Sequence, residues 1–210
     1  YISVEVTPSV GDFPGELNAP DSAAEACDIG IWPSVATHST PAPTDSAIVH
    51  VVAVDFAACG NQNFSYSRGR ETSAGVFLFS SPAVTADSSD DISIIAVASR
   101  KSGKVALLYN RQKDWTAPPN DADIWYIESK TYGREWVNGF GNSGGDTAIN
   151  VTKYQAGDPV RASGVLGAVY DEEDSLHIVW VAPLYSSGAV ASECLIYHWS
   201  KATGIDQVAD

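Results

Sequence analysis

The sequence predicts an all-β protein: a β-propeller with about three four-stranded blades, forming part of a larger, six- or seven-bladed ring. Two observations carry this prediction. One strand pattern recurs three times along the chain, and no segment shows a sustained 3.6-residue hydrophobic period with helix caps. Four short strands repeated about every 60 to 70 residues are typical of propeller blades. A β-sandwich, the alternative all-β fold, would not produce three matched copies.

The repeated pattern is an aromatic residue, two variable residues, a serine and a basic residue, at 64–68, 126–130 and 197–201. We call this strand C of each blade. Two apolar strands precede it and a weaker strand follows it. The predicted A strands are 34–37, 94–98 and 165–170, the B strands are 48–52, 105–109 and 176–180, and the D strands are 76–79, 136–137 and 205–208.

These strands divide the chain into four parts. They are an N-terminal strand and linker at 1–30, blade one at 31–90, blade two at 91–160 and blade three at 161–210, whose outer strand is incomplete. An arc of three blades leaves strand edges and apolar faces exposed. We therefore expect the remaining blades to come from the same polypeptide or from another chain, with the alternating segment 1–6 completing a neighbouring blade. The isolated chain is not expected to be a stable monomer.

The composition narrows the function classes. The 210 residues include 12 lysines and arginines against 26 aspartates and glutamates, which gives a formal net charge of −14. So acidic a chain lacks the basic face of a nucleic-acid binder and does not favour anionic lipid. No apolar run in the sequence approaches the length of a transmembrane helix.

The segment 129–136, Ser-Lys-Thr-Tyr-Gly-Arg-Glu-Trp, resembles the Ser-x-Asp-x-Gly-x-x-Trp turn of sialidase-like, Asp-box (BNR-repeat) propellers. Three positions match, namely Ser129, Gly133 and Trp136, and Thr131 stands where that family has aspartate. A weaker copy at 200–204 keeps the serine and the glycine. The resemblance covers about residues 30–210 and implies a secreted protein, extracellular or at the cell surface. The Asp-box is a folding element of the turn, so the resemblance implies a fold rather than an activity.

Long loops predict where a ligand binds. Antiparallel blades place the B–C loops and the D–A connections on one face, which carries the ligand site in the resembling family. Those segments are long here, at 55–63, 110–123, 138–160 and 182–193. On that face we single out four candidate ligand-binding residues, Arg111, Trp115, Arg161 and Tyr185. An aromatic ring beside an arginine suits sugar stacking or carboxylate capture. Alternatively, Trp115 covers the loop's own apolar surface and Arg111 pairs with a loop aspartate.

The sequence does not supply a catalytic set. Sialidase-like catalysis needs three converging arginines, and only Arg111 and Arg161 face the predicted site. Loop acids are available for glycosidase chemistry, but nothing pairs Asp55, Asp114, Asp121, Asp123 and Glu193. We therefore expect a non-catalytic module that binds a partner protein or a glycan and needs no metal or other cofactor. Two alternatives stay open: a glycan-acting hydrolase whose site is shared with other blades, and a purely structural subunit.

Histidines and cysteines add two smaller predictions. His50 and His177 occupy one register of strand B, which indicates either a buried hydrogen bond or a metal or proton site. Cys27 and Cys59 precede strand A and follow strand B of blade one, and antiparallel pairing puts these two ends side by side. They predict a disulfide, which leaves Cys194 free or buried.

Overall fold

The computed structural model describes residues 30–39, 47–55, 64–73, 75–79, 84–86, 91–112, 122–136, 148–155, 158–163, 166–186 and 189–209. Within these ranges the protein is all-β and contains no helix. The described part of the chain accordingly holds no helix that could span a membrane. The all-β prediction is confirmed.

The strands form three antiparallel sheets, each with its strands paired in sequence order. Sheet 1 contains β1 (Gly30–Ser39), β2 (Ala47–Asp55), β3 (Phe64–Ser73) and β4 (Val76–Phe79), with β5 (Val84–Ala86) paired to the beginning of β3. Sheet 2 contains β6 (Asp91–Ala98), β7 (Val105–Gln112), β8 (Ala122–Ser129) and β9 (Ile149–Asn150). Sheet 3 contains β10 (Leu166–Tyr170), β11 (Leu176–Ser186), β12 (Ala189–Ser200) and β13 (Gly204–Ala209).

Each predicted strand overlaps an observed one, except for the D strand placed at 136–137, but many observed strands are longer. For example, β11 ends at Ser186, six residues beyond its predicted end, and β12 begins at Ala189, eight residues before its predicted beginning. The prediction of a D strand at 136–137 is wrong at Trp136, which lies outside any strand. The indole packs edge-on against Tyr66 of sheet 1, with ring centroids 5.0 Å apart, instead of continuing sheet 2. The fourth strand of sheet 2 is β9, whose Asn150 pairs with Trp125 of β8.

Sheet 2 lies between the other two sheets and is buried on both faces. Successive side chains of β7 alternate between two apolar cores. Leu107 and Tyr109 pack against sheet 1, whereas Ala106 and Leu108 pack against sheet 3. Burial on both faces explains why β7 reads as a nearly continuous apolar run rather than as an alternating strand.

The sheets approach each other along their first strands, because β1 packs against β6 and β6 packs against β10. Polar contacts reinforce both junctions. The Ser34 hydroxyl accepts a hydrogen bond from the Ala96 amide at 3.1 Å. On the other side, Lys104 Nζ lies 3.0 Å from the Asp174 carboxylate.

The turn after β8 is built around two hydroxyl oxygens. Ser129 Oγ accepts hydrogen bonds from the amides of Thr131 and Gly133, at 3.2 and 3.1 Å. Thr131 Oγ1 in turn accepts one from the Glu135 amide at 2.9 Å. The threonine hydroxyl thus supplies an acceptor at the position where the resembling turn carries aspartate.

Cys194 lies in β12 as an exposed free thiol. Cys27 and Cys59, the predicted disulfide, lie outside the described residues, as does the predicted strand at 1–6.

Candidate functional site

Two of the four predicted ligand-binding residues are described with their side chains. Arg111 lies in β7, and Arg161 lies in the segment 158–163. Tyr185 lies in β11, where its backbone alone is described, and Trp115 lies outside the described residues. Arg161 precedes the first strand of sheet 3, because β10 starts only at Leu166.

The segment 158–163 is fixed between sheets 2 and 3 by backbone pairing. Ala162 forms a bridge with Ala122 of β8, and Val160 forms one with Leu184 of β11. The Asn110 side chain also donates a hydrogen bond to the Ser163 carbonyl oxygen. These contacts hold Arg161 at the end of sheet 2 where β7 ends and β8 begins, with the backbone of Tyr185 close by.

Arg111 is held against two aromatic rings. Its guanidinium carbon lies 4.8 Å from the centroid of the Trp125 ring and 5.4 Å from that of Tyr109. In the antiparallel pairing of β7 with β8, Tyr109 lies opposite Trp125 and Arg111 lies opposite Asp123. Because alternate residues of a strand share a face, all four lie on the side of sheet 2 that faces sheet 1. We call these four residues the Arg111 site.

Asp123 is a fully buried carboxylate that accepts hydrogen bonds from the segment 148–155. Asn150 Nδ2 donates to one oxygen at 2.7 Å, while Thr152 Oγ1 and the Tyr154 amide donate to the other at 2.9 and 2.8 Å. Several donors of this kind offset the cost of taking a charge out of water. These hydrogen bonds hold residues 148–155 beside β8, next to the Asp123 side of the Arg111 site.

Arg161 is buried and anchored to the backbone of its own segment. Its Nη1 donates to the carbonyl oxygens of Asp158 and Val160 at 2.7 and 2.9 Å. The guanidinium also lies 5.9 Å from the ring centroid of Tyr154. Tyr154 accepts a hydrogen bond from Trp180 Nε1 at 3.2 Å, and burial raises its pKa to about 12, so the phenol is neutral at physiological pH. Arg161 therefore orders the segment 158–163, which bridges sheets 2 and 3, whereas the Arg111 site lies on the side of sheet 2 that faces sheet 1.

Sequence reasoning missed the role of Asp123, which it grouped with four other unpaired loop acids. The signal available was a lone carboxylate inside the apolar strand Ala-Asp-Ile-Trp-Tyr-Ile. Charged residues are seldom fully buried without partners, so such a position indicates a paired or hydrogen-bonded charge. The partners could not be read from the sequence, because Asn150 and Thr152 lie far along the chain.

A second polar cluster lies at the opposite end of sheet 2, between it and sheet 1. His50 Nδ1 lies 2.7 Å from the Tyr66 hydroxyl, and His50 Nε2 lies 3.1 Å from His38 Nδ1. The Tyr132 ring stacks on His38, and Arg68 Nε donates to the Tyr132 carbonyl oxygen at 2.6 Å. Burial, reinforced by the positive charge of Arg68, lowers the pKa of His38 to about 4. The pKa of His50 falls to about 3 for the same reasons and through its contact with His38.

These geometries favour the hydrogen-bond interpretation of the strand-B histidines. His50 is buried and makes side-chain hydrogen bonds. His177 is partly exposed and lies 2.8 Å from both His198 Nε2 and Asp171 Oδ2. Among the residues that the structure describes, no group of three or more His, Cys, Asp and Glu side chains could hold a metal ion.

No protein-family model matches this sequence, nor does any curated protein. The resemblance to sialidase-like, Asp-box propellers therefore rests on the turn motif and stays a prediction.

Proposed function

We propose that this chain is a non-catalytic, extracellular binding module with propeller-like blades, which captures a carboxylate-bearing ligand at the Arg111 site. The ligand is an acidic glycan or an acidic segment of a partner protein. Three sheets with strands in sequence order, adjacent along their first strands, support the propeller arrangement, since blades of a propeller meet at their inner strands. The resemblance to secreted propellers supports the location.

The observation that carries the proposal is the guanidinium of Arg111, stacked on Trp125 and Tyr109. A planar guanidinium pairs with a carboxylate through two parallel hydrogen bonds, and an aromatic ring offers a stacking surface for a sugar. Because the rings restrict the arginine before binding, less side-chain freedom is lost when the ligand arrives.

Asp123 supports binding over hydrolysis. A glycosidase acid or nucleophile must reach the scissile bond, and general acid–base catalysis needs a side chain within hydrogen-bond reach of its substrate. The Asp123 carboxylate is buried and accepts hydrogen bonds from Asn150, Thr152 and the Tyr154 amide. We assign it a positioning role, holding the segment 148–155 beside β8.

The proposal is tested by combining binding and turnover on the same protein. The purified chain is screened on an array of sialylated, uronic-acid-containing and neutral glycans together with acidic peptides, and is incubated with fluorogenic sialosides and glucuronides. We expect binding to acidic probes and no turnover. Turnover that is abolished in Arg161→Ala would contradict the proposal and favour a hydrolase. Binding restricted to neutral glycans would also contradict the proposal. Failure to bind any probe would also reject it.

A further inference from the structure

Sheet 3 presents an apolar face that the rest of the described chain leaves uncovered. In β11, Ile178 and Trp180 point towards sheet 2, so His177, Val179 and Val181 lie on the opposite side. Strand pairing adds residues of the neighbouring strands β10 and β12 to this side. We call it the outer face of sheet 3, made of Val169, His177, Val179, Val181, Ile196 and His198. Val169 is 57% exposed, and Val179 and Ile196 are each 40% exposed.

The corresponding face of each preceding sheet is covered by the sheet that follows it. Sheet 1 turns Val52 of β2 towards sheet 2, and sheet 2 turns Ala106 and Leu108 of β7 towards sheet 3. Both surfaces are buried in the cores between the sheets. The outer face of sheet 3 is the third member of this series, and no described residue follows it with another sheet.

A pair of histidines marks two of these faces. In sheet 1, His50 contacts His38, and the turn of sheet 2 covers the pair with the Tyr132 ring. In sheet 3, His177 contacts His198 at 2.8 Å with nearly stacked rings, and the pair is partly exposed. The outer face of sheet 3 therefore carries the same kind of histidine pair as the face of sheet 1 that sheet 2 covers.

Sheet 1 supplies the complementary surface at the other end of the stack. On its side away from sheet 2, Val35 pairs with Val51, and Val49 pairs with Gly69, over which the Phe79 ring lies. Val35 is 49% exposed. We call Val35, Val49, Val51 and Phe79 the outer face of sheet 1. It corresponds to the faces by which sheet 2 packs on sheet 1 and sheet 3 packs on sheet 2.

We propose that the outer face of sheet 3 binds the outer face of sheet 1 of a second copy of this chain, head to tail, so that two copies close a ring. This inference rests on the propeller arrangement proposed above. An interface between two different faces generates either a closed ring or an open filament. The three sheets formed by the described residues of each copy make six in a dimer, within the range of about four to eight blades that propellers adopt, whereas three copies would exceed it.

The test is the mass of the chain in solution, measured by light scattering across the micromolar range. We expect twice the monomer mass of 22.2 kDa. Val179→Glu and Val35→Glu each place a charge on one of the two faces, and each is expected to give a monomer. The matched control is Ile149→Glu, at a residue of sheet 2 that is also 49% exposed, and it should leave the dimer intact. Circular dichroism confirms that each variant is folded.

Two results would overturn the inference. One is a wild-type monomer throughout the range. The other is a dimer lost in Val179→Glu but kept in Val35→Glu, because that pattern indicates two identical faces in contact. A measurement on the unmutated chain guards against misfolded variants: alkylation of Cys194, which lies along β12 from Ile196, should slow as protein concentration rises. A monomer that still binds acidic probes through Arg111 would overturn this inference alone.

Discussion

A Cβ atom on Gly133 would overlap the hydroxyl oxygen of Tyr66. The turn after β8 therefore lies so close to Tyr66, whose hydroxyl group is hydrogen-bonded to His50, that only glycine fits. The same glycine has a φ of 71°, in the region that other residues rarely adopt. The glycine of the Ser-x-x-x-Gly turn therefore serves the contact between two sheets as well as the turn itself.

Substitution of this glycine should be more damaging than substitution of its counterpart in sheet 3. Gly133→Ala must displace Tyr66 from His50 as well as adopt a positive φ, and we expect it to lower the free energy of unfolding by about 3 kcal/mol. Gly204 has a similar φ of 73° but open space around it, so Gly204→Ala should cost about 1 kcal/mol. Chemical denaturation compares the two. Equal losses would show that the contact with Tyr66 contributes nothing.

The buried histidines should make the protein less stable in mild acid. Their pKa values in the folded state, about 4 for His38 and about 3 for His50, lie below the ordinary value of 6.5. Between pH 7 and pH 5 the unfolded chain therefore takes up protons that the folded chain excludes, and stability falls as the pH falls. For His50 alone the expected loss over this interval is about 2 kcal/mol.

Urea denaturation of wild type and of the double variant His38→Gln/His50→Gln at pH 7 and pH 5 checks this expectation. Glutamine does not titrate, so the variant should be less stable at pH 7 but should lose much less on acidification. Parallel losses in the two proteins would assign the acid sensitivity to other groups.

Loss of the buried carboxylate should loosen the segment beside the Arg111 site. Asp123→Ala leaves the donors of Asn150, Thr152 and the Tyr154 amide without their acceptor, and we expect it to destabilise the fold by about 3 kcal/mol. Asp206→Ala, at an exposed aspartate of β13, is the matched control and should change stability by less than about 0.5 kcal/mol. A stable Asp123→Ala variant would mean that the network does not hold the segment 148–155.

Local pattern was enough to predict the strands, because alternation and turn residues act over a few positions. The local pattern failed at Trp136, because the indole packs on Tyr66 of sheet 1 and the residue does not form a further strand of sheet 2. A buried hydrogen bond at His50 was one of two interpretations of the sequence, but its partner His38 was not predicted. Ala36 is the residue of β1 that lies opposite His50, and His38 lies two residues further along that strand. Such partners depend on strand register, which the sequence does not state.

The residues of the candidate site also fall into those that the sequence could predict and those that depend on strand pairing. Arg111 and Arg161 could be selected because long loops and a strand end bring their residue types to one face. The rings that hold Arg111 were not predicted, since Tyr109 and Trp125 become neighbours only when β7 and β8 pair. Asp123 was likewise uninterpretable until Asn150 and Thr152 were brought to it from beyond β8.

The most direct test of the account is the affinity for an acidic glycan that the array identifies, measured by calorimetry. Arg111→Ala removes the stacked guanidinium, whereas Arg134→Ala removes the same charge from an exposed position in the turn after β8. The account predicts at least about tenfold weaker binding for Arg111→Ala, equivalent to about 1.4 kcal/mol, and little change for Arg134→Ala. Equal affinities for all three proteins, or equal losses in both variants, would contradict it.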